Sequence, residues 1–256
     1  MRIKLVGLIA LCCALMLVAS FSNSSGNQPA RASASDGLSQ AEQELLKEIN
    51  LARAKPGVYA SYLEALKPLF EGNLYTRPGH GALTTVEGWS AVEEAIKVLR
   101  AAKPQDPLSL SNGLRLAAKD HCKEQSGTGS TGHKGSGGLI EDRVKPYGAW
   151  QGAIGENLSY GDDSARERVL TWLIDDGVAS RGHRKRLLSP DYRVAGVACT
   201  SHPEFGQVCS LTLAGSFMDS AAAKGATSNQ NTSPANSNTN ETKTNTNKGK
   251  AKPPSF

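Results

Sequence analysis

The chain has 256 residues, 39% of them hydrophobic and 5% aromatic, with a formal net charge of +5. The length suits one domain with extensions, and the apolar content allows a packed core. The charge sits at the ends: Arg2 and Lys4 at one, five Lys against Asp219 and Glu241 in residues 219–256 at the other, so residues 31–218 are neutral. A neutral core has no field to draw in phosphates, which argues against nucleic acid as a partner.

In chain order, Arg2 and Lys4 precede an uncharged apolar run from Leu5 to Ala19, followed by small and polar residues. This is the layout of a secretory signal, placed at residues 1–25, with a linker over 26–38. The run is shorter than the ~20 residues of a spanning helix, so no stable membrane span is expected. Localisation is expected to be secreted or extracellular, with the periplasm or cell surface as variants.

Ser39-Gln-Ala-Glu42 is a capping box, and Leu45, Leu46, Ile49 and Ala52 follow on one helical face until Pro56-Gly57. A second helix is expected over Val58–Leu66 and a Gly- and Pro-punctuated loop over 70–84. Ser90-Ala-Val-Glu93 reads as another capping box, leading a helix to Lys103. Ser111 caps a further helix with Leu114, Ala117, Ala118 and His121 on one stripe. A Gly-rich loop spans 127–138, and a strand is expected around Gly155–Tyr160. Asp163 can cap a helix over Ser164–Asp176, and two strands, Arg193–Thr200 and Gln207–Phe217, close the domain. Residues 219–256 are Ala, Ser, Asn, Thr, Lys and Pro with little to bury, so a disordered tail is expected. Helices early and strands late indicate an α+β fold.

A hairpin register that pairs Cys199 with Cys209 centres on residue 204, in the middle of its loop, so a disulfide is expected between them in an oxidising compartment. Cys122 then remains, read as a small buried thiol. Gly127-Thr-Gly-Ser-Thr-Gly132 fits a dinucleotide fingerprint in letters only, because it follows a helix and opens none. No GxSxG or HExxH motif occurs, so no activated nucleophile is evident.

Titratable groups stand in small or apolar settings in Gly132-His133, Gly155-Glu156-Asn157-Leu158, Trp172-Leu-Ile-Asp175 and Arg181-Gly-His183-Arg184. Together with Glu48-Ile-Asn50-Leu-Ala-Arg53, Leu114–His121 and Gly196-Val197-Ala198, in this order, they resemble the CAP superfamily. That superfamily includes cysteine-rich secretory, antigen 5 and pathogenesis-related proteins and many bacterial exported proteins. The resemblance covers Ser39–Phe217 and places a CAP domain at 39–218. It implies a three-layer α-β-α sandwich with a cleft that presents two His and two acids, here His133, Glu156, Asp175 and His183. Asp175 stands where Glu is usual, one methylene shorter.

Two neutral imidazoles, His133 and His183, suit a weakly held divalent metal such as Zn²⁺. The first functional expectation is a secreted binding module for an extracellular or cell-surface ligand, whether peptide, lipid or cell-wall component. The second is a metal-assisted hydrolase (peptidase), with Glu156 as base and Asp175 as the other candidate catalytic acid. The third is a structural tetrad with binding left to surface loops.

Overall fold

A computed structural model describes residues 37–77 and 79–225; the signal at 1–25, nearly all of the linker and the tail beyond 225 lie outside the described residues. Its helices are α1 (Gln40–Ala54), α2 (Pro56–Glu64), α3 (Trp89–Ala101), α4 (Asn112–Thr128), α5 (Ile140–Arg143), α6 (Ala165–Ile174), α7 (Gly182–Leu188) and α8 (Ala221–Gly225). Its strands are β1 (Phe70–Glu71), β2 (Leu74–Thr76), β3 (Ala82–Thr84), β4 (Ser109–Leu110), β5 (Gly148–Tyr160), β6 (Val194–His202) and β7 (Gly206–Asp219).

The main sheet runs β4-β6-β7-β5, so β5 is an edge strand. β7 pairs antiparallel with both β5 and β6, and β4 joins β6 in parallel. Strand alternation divides the core. Leu158, Tyr160, Ala198 and Val208 face α4, against Ala118 and Cys122. Val197, Cys209, Leu211 and Leu213 face the opposite layer, against Leu45 and Ile49 of α1, Val169, Trp172 and Leu173 of α6 and Leu187 of α7. The result is the expected α+β fold in α-β-α layers. Gly196 makes one contact possible: a Cβ there would stand 2.1 Å from the Arg115 nitrogen, so only glycine lets α4 lie this close to β6.

The capping box at Ser39 forms as expected, with Glu42 N–H on Ser39 Oγ at 3.3 Å and Ser39 N–H on Glu42 Oε2 at 2.7 Å. Arg53, buried at the end of α1, donates to the carbonyls of Asp106, Leu187, Ser189 and Tyr192. It thereby ties the C-terminal end of α7 to α1, although α7 is only seven residues long. Cys199 and Cys209 are directly opposite in the β6–β7 register and form the disulfide.

Several boundaries differ from the sequence reading. Residues 70–84 are not loop throughout but a small antiparallel sheet, β1-β2-β3; strands of two or three residues are too short to show alternation. Ser90 does not cap α3. Gly88 precedes the helix at φ +62°, and the Ser90 hydroxyl donates to the Glu87 carbonyl at 2.6 Å. Asp163 does not cap α6, because Arg77 takes its Oδ1 at 2.6 Å and Ser164 forms the capping box with Glu167. Strand β5 begins seven residues earlier than expected, at Gly148. Order also runs past residue 218: Asp219 accepts from Ser111 Oγ at 2.7 Å and from the Gly113 amide at 3.0 Å, fastening the end of β7 to the start of α4.

Candidate functional site: two imidazole–carboxylate pairs at the β5 edge

The loop after α4 carries His133. Its neighbour Gly132 is gripped on both sides. The Gly132 carbonyl receives Gln125 Nε2 at 2.7 Å and lies 2.9 Å from His121 Nε2, while its N–H donates to Tyr160 Oη at 2.8 Å. Gly132 adopts φ +95°, so its glycine serves a fixed turn rather than flexibility. Burial pushes the His121 pKa down, which keeps this clamp neutral.

Thus held, His133 Nδ1 meets Glu156 Oε2 at 2.9 Å. Glu156 is buried on β5 and its other partners complete its shell: Arg143 Nη2 on Oε2 at 2.8 Å and Ser210 Oγ on Oε1 at 3.0 Å. Burial alone would raise the Glu156 pKa, but His133, Arg143 and His121 outweigh it and hold the carboxylate below its ordinary value. Arg143, Ser210 and His121 were not singled out as site residues in the sequence; each reaches the site through tertiary packing, with no local signature.

The second pair is deeper. Asp175 is the C-cap of α6, in the left-handed region at φ +56°. Its Oδ1 receives His183 Nδ1 at 2.6 Å, and its Oδ2 takes the backbone amides of His183 at 2.9 Å and Arg184 at 3.3 Å. The shorter acid therefore reaches its histidine, and it caps the start of α7 as well. Because Asp175 only accepts, it fixes His183 as the Nδ1–H tautomer. His183 Nε2 is left buried without a hydrogen-bond partner among the described residues.

The four residues form two imidazole–carboxylate pairs. Glu156 and Asn157 are successive on β5 and point to opposite faces. Glu156 points into the α4–α5 layer. Asn157 Nδ2 donates to the His183 carbonyl at 3.2 Å, in the α6–α7 layer. The pairs flank the sheet edge, and no three of their ligand atoms come within 4.8 Å of one another; among the described residues only His80, Asp163 and Glu167 do so. Gly155 keeps the α7 side close, since a Cβ there would press on Tyr192 Oη at 2.9 Å and Arg186 Cδ at 3.0 Å.

Cys122 is buried with its thiol pKa pushed up by burial, and its Sγ donates to the Ala198 carbonyl at 3.4 Å, so it is inert packing. A depression of about 300 Å³ lies between α3 and α7, lined by Glu94, Val98, Arg181, Arg184 and Leu188; none of the four paired residues lines it. No helix among the described residues is long and apolar enough to cross a membrane.

Residues 93–213 match the family model of the cysteine-rich secretory protein family, CAP. Solved structures similar to the chain include an outer surface protein from Borrelia burgdorferi, at 17% identity over 49% of this chain and 86% of that one, TM-score 0.37. Another is an extracellular protein containing a SCP domain from Bacillus anthracis strain Ames, at 18% identity and TM-score 0.36; the match covers 59% of this chain and 43% of that one. No curated protein sequence matches. The family match runs from α3 to β7 and takes in both imidazole–carboxylate pairs and the disulfide, so over these residues the chain is similar to the CAP family.

Proposed function

We propose that the protein is an exported binding module whose β5 edge presents His133 and His183 to a divalent cation and, through it or beside it, to an extracellular or cell-surface ligand. One observation carries this reading: the His183 imidazole is buried, its Nδ1–H is held by Asp175, and its Nε2 has no hydrogen-bond partner among the described residues. A carboxylate behind an imidazole is how proteins fix the tautomer and raise the basicity of a metal-ligating histidine. His133 repeats the arrangement with Glu156, its side chain 31% exposed and so open to an incoming group. The donor set fits Zn²⁺ or a similar ion, with the two imidazoles as ligands and the acids as orienters. A bound cation would supply a Lewis-acidic point for a carbonyl, carboxylate or phosphate of the ligand.

Calorimetric zinc titration tests this. The double substitution His133→Ala/His183→Ala is expected to lose one bound equivalent, and unchanged stoichiometry would remove the β5 edge as a metal site.

The structural reading is favoured by a specific observation too, since Asp175 caps α7 as well as binding His183. It expects His183→Ala to lower the melting temperature with no change in metal binding. The hydrolase reading draws less support. Both Glu156 oxygens are occupied and its pKa is lowered, which is poor provision for a general base.

A further inference from the structure

The β2–β3 turn brings His80 against the start of α6, where Asp163 and Glu167 stand. Their ligand atoms all lie within 4.8 Å of one another. We propose that His80, Asp163 and Glu167 form a second divalent-cation site, separate from the β5 edge, that fastens the β1-β2-β3 sheet to α6 when a transition metal such as Zn²⁺ is bound.

Each carboxylate is already half committed and thereby oriented. Asp163 Oδ1 accepts from Arg77 Nη1 at 2.6 Å, and Glu167 Oε2 accepts from the Ser164 amide at 2.8 Å. Those contacts fix the two side chains and leave Asp163 Oδ2 and Glu167 Oε1 without a protein donor in hydrogen-bonding contact among the described residues. His80 Nε2 stands 3.5 Å from Glu167 Oε1. That gap is long for a hydrogen bond between nitrogen and carboxylate oxygen. It matches the edge of a tetrahedral zinc shell, where ligand atoms about 2.1 Å from the ion stand about 3.4 Å apart. One nitrogen and two carboxylate oxygens, with a position left for water, make a ligand set of ordinary composition for zinc.

The surroundings set the strength. Arg77 offsets one of the two negative charges, so the site is expected to bind less tightly than an uncompensated pair of acids would. His80 and Glu167 side chains are 29% and 31% exposed, which leaves an entry path for the ion. His80 lies outside the matched residues 93–213, whereas Asp163 and Glu167 lie inside them, so the site ties the β2–β3 turn to the matched region.

The test is zinc titration of the whole protein, read by calorimetry and by the metal-induced rise in melting temperature. Cobalt absorption in the visible range serves as an independent report of coordination. In the His133→Ala/His183→Ala background one equivalent is expected to remain. Adding His80→Ala is expected to weaken that equivalent at least about tenfold and to abolish the melting-temperature rise. Glu167→Gln, which retains an acceptor for the Ser164 amide, is expected to do the same without unfolding α6. Retained zinc affinity in both His80→Ala and Glu167→Gln, or no binding left in the His133→Ala/His183→Ala protein, would overturn the proposal. The β5-edge reading would be untouched by either result.

Discussion

The two imidazole–carboxylate pairs share a chemistry but not an environment. Glu156 has a permanent cation, Arg143, and the Ser210 hydroxyl to keep it satisfied, so His133 is one partner among three. Among the described residues no Arg or Lys side chain hydrogen-bonds the Asp175 carboxylate; it is satisfied by His183 and by the first amides of α7. His133 lies partly open, whereas the His183 side chain is 7% exposed. One pair is therefore an accessible histidine resting on a finished ion pair. The other is a keystone between α6 and α7 that also offers a nitrogen.

The strongest way to break this comparison is Asp175→Ala. It removes three hydrogen bonds to a buried carboxylate and puts alanine at φ +56°, so a loss of about 4 kcal/mol is expected in urea denaturation. Asp175→Asn, which tolerates that backbone and still accepts, should recover more than half of it. A cost near 1 kcal/mol for the alanine variant would deny the keystone role.

Glu156→Gln comes next, at about 3 kcal/mol, because it strands the buried Arg143 guanidinium without its counter-charge. This variant also carries a pH signature. The folded Glu156 pKa lies below its ordinary 4.5, so its contribution is complete above that value and is lost as pH falls through the lower folded value. Stability measured by urea at successive pH values below about 4.5 should fall less steeply in Glu156→Gln than in the wild type. Parallel slopes would mean that the carboxylate is not held as described.

Much of this was legible in the residues, and the reasons are local. The Ser39 box puts donor and acceptor three residues apart, and Cys199 with Cys209 follows from hairpin symmetry; the Ser164 box has the same spacing, but the sequence reading places its cap one residue early, at Asp163. The four paired residues were named by motif, but motif order says nothing about which face of a strand each occupies. Alternation does, and it already assigns Glu156 and Asn157 to opposite sides of β5. What stayed hidden depends on long-range approach: Ser210 reaches Glu156 across 54 positions, and Asp219 caps α4 from a segment read as tail. His80 was lost for another reason, that its flanking strands are three residues each and read as loop.

His183→Ala sharpens the comparison at a smaller scale. Asp175 keeps its two backbone donors, so the cost is that of an emptied buried side-chain position and one lost hydrogen bond, about 2 kcal/mol by thermal or urea unfolding.

The smallest stability effect belongs to His133→Ala. Its removal leaves Glu156 ion-paired to Arg143 and hydrogen-bonded to Ser210, and the Gly132 clamp on His121 and Gln125 does not involve the imidazole. Less than about 1 kcal/mol should be lost in urea, as for other partly exposed sites. Zinc titration of the same variant should nevertheless lose the β5-edge equivalent, because the more accessible of the two imidazoles is gone. A stable fold with an impaired site would locate ligand capture at this pair. If His133→Ala instead destabilised the protein as much as His183→Ala while zinc binding persisted, both pairs would be structural and the asymmetry between them would vanish.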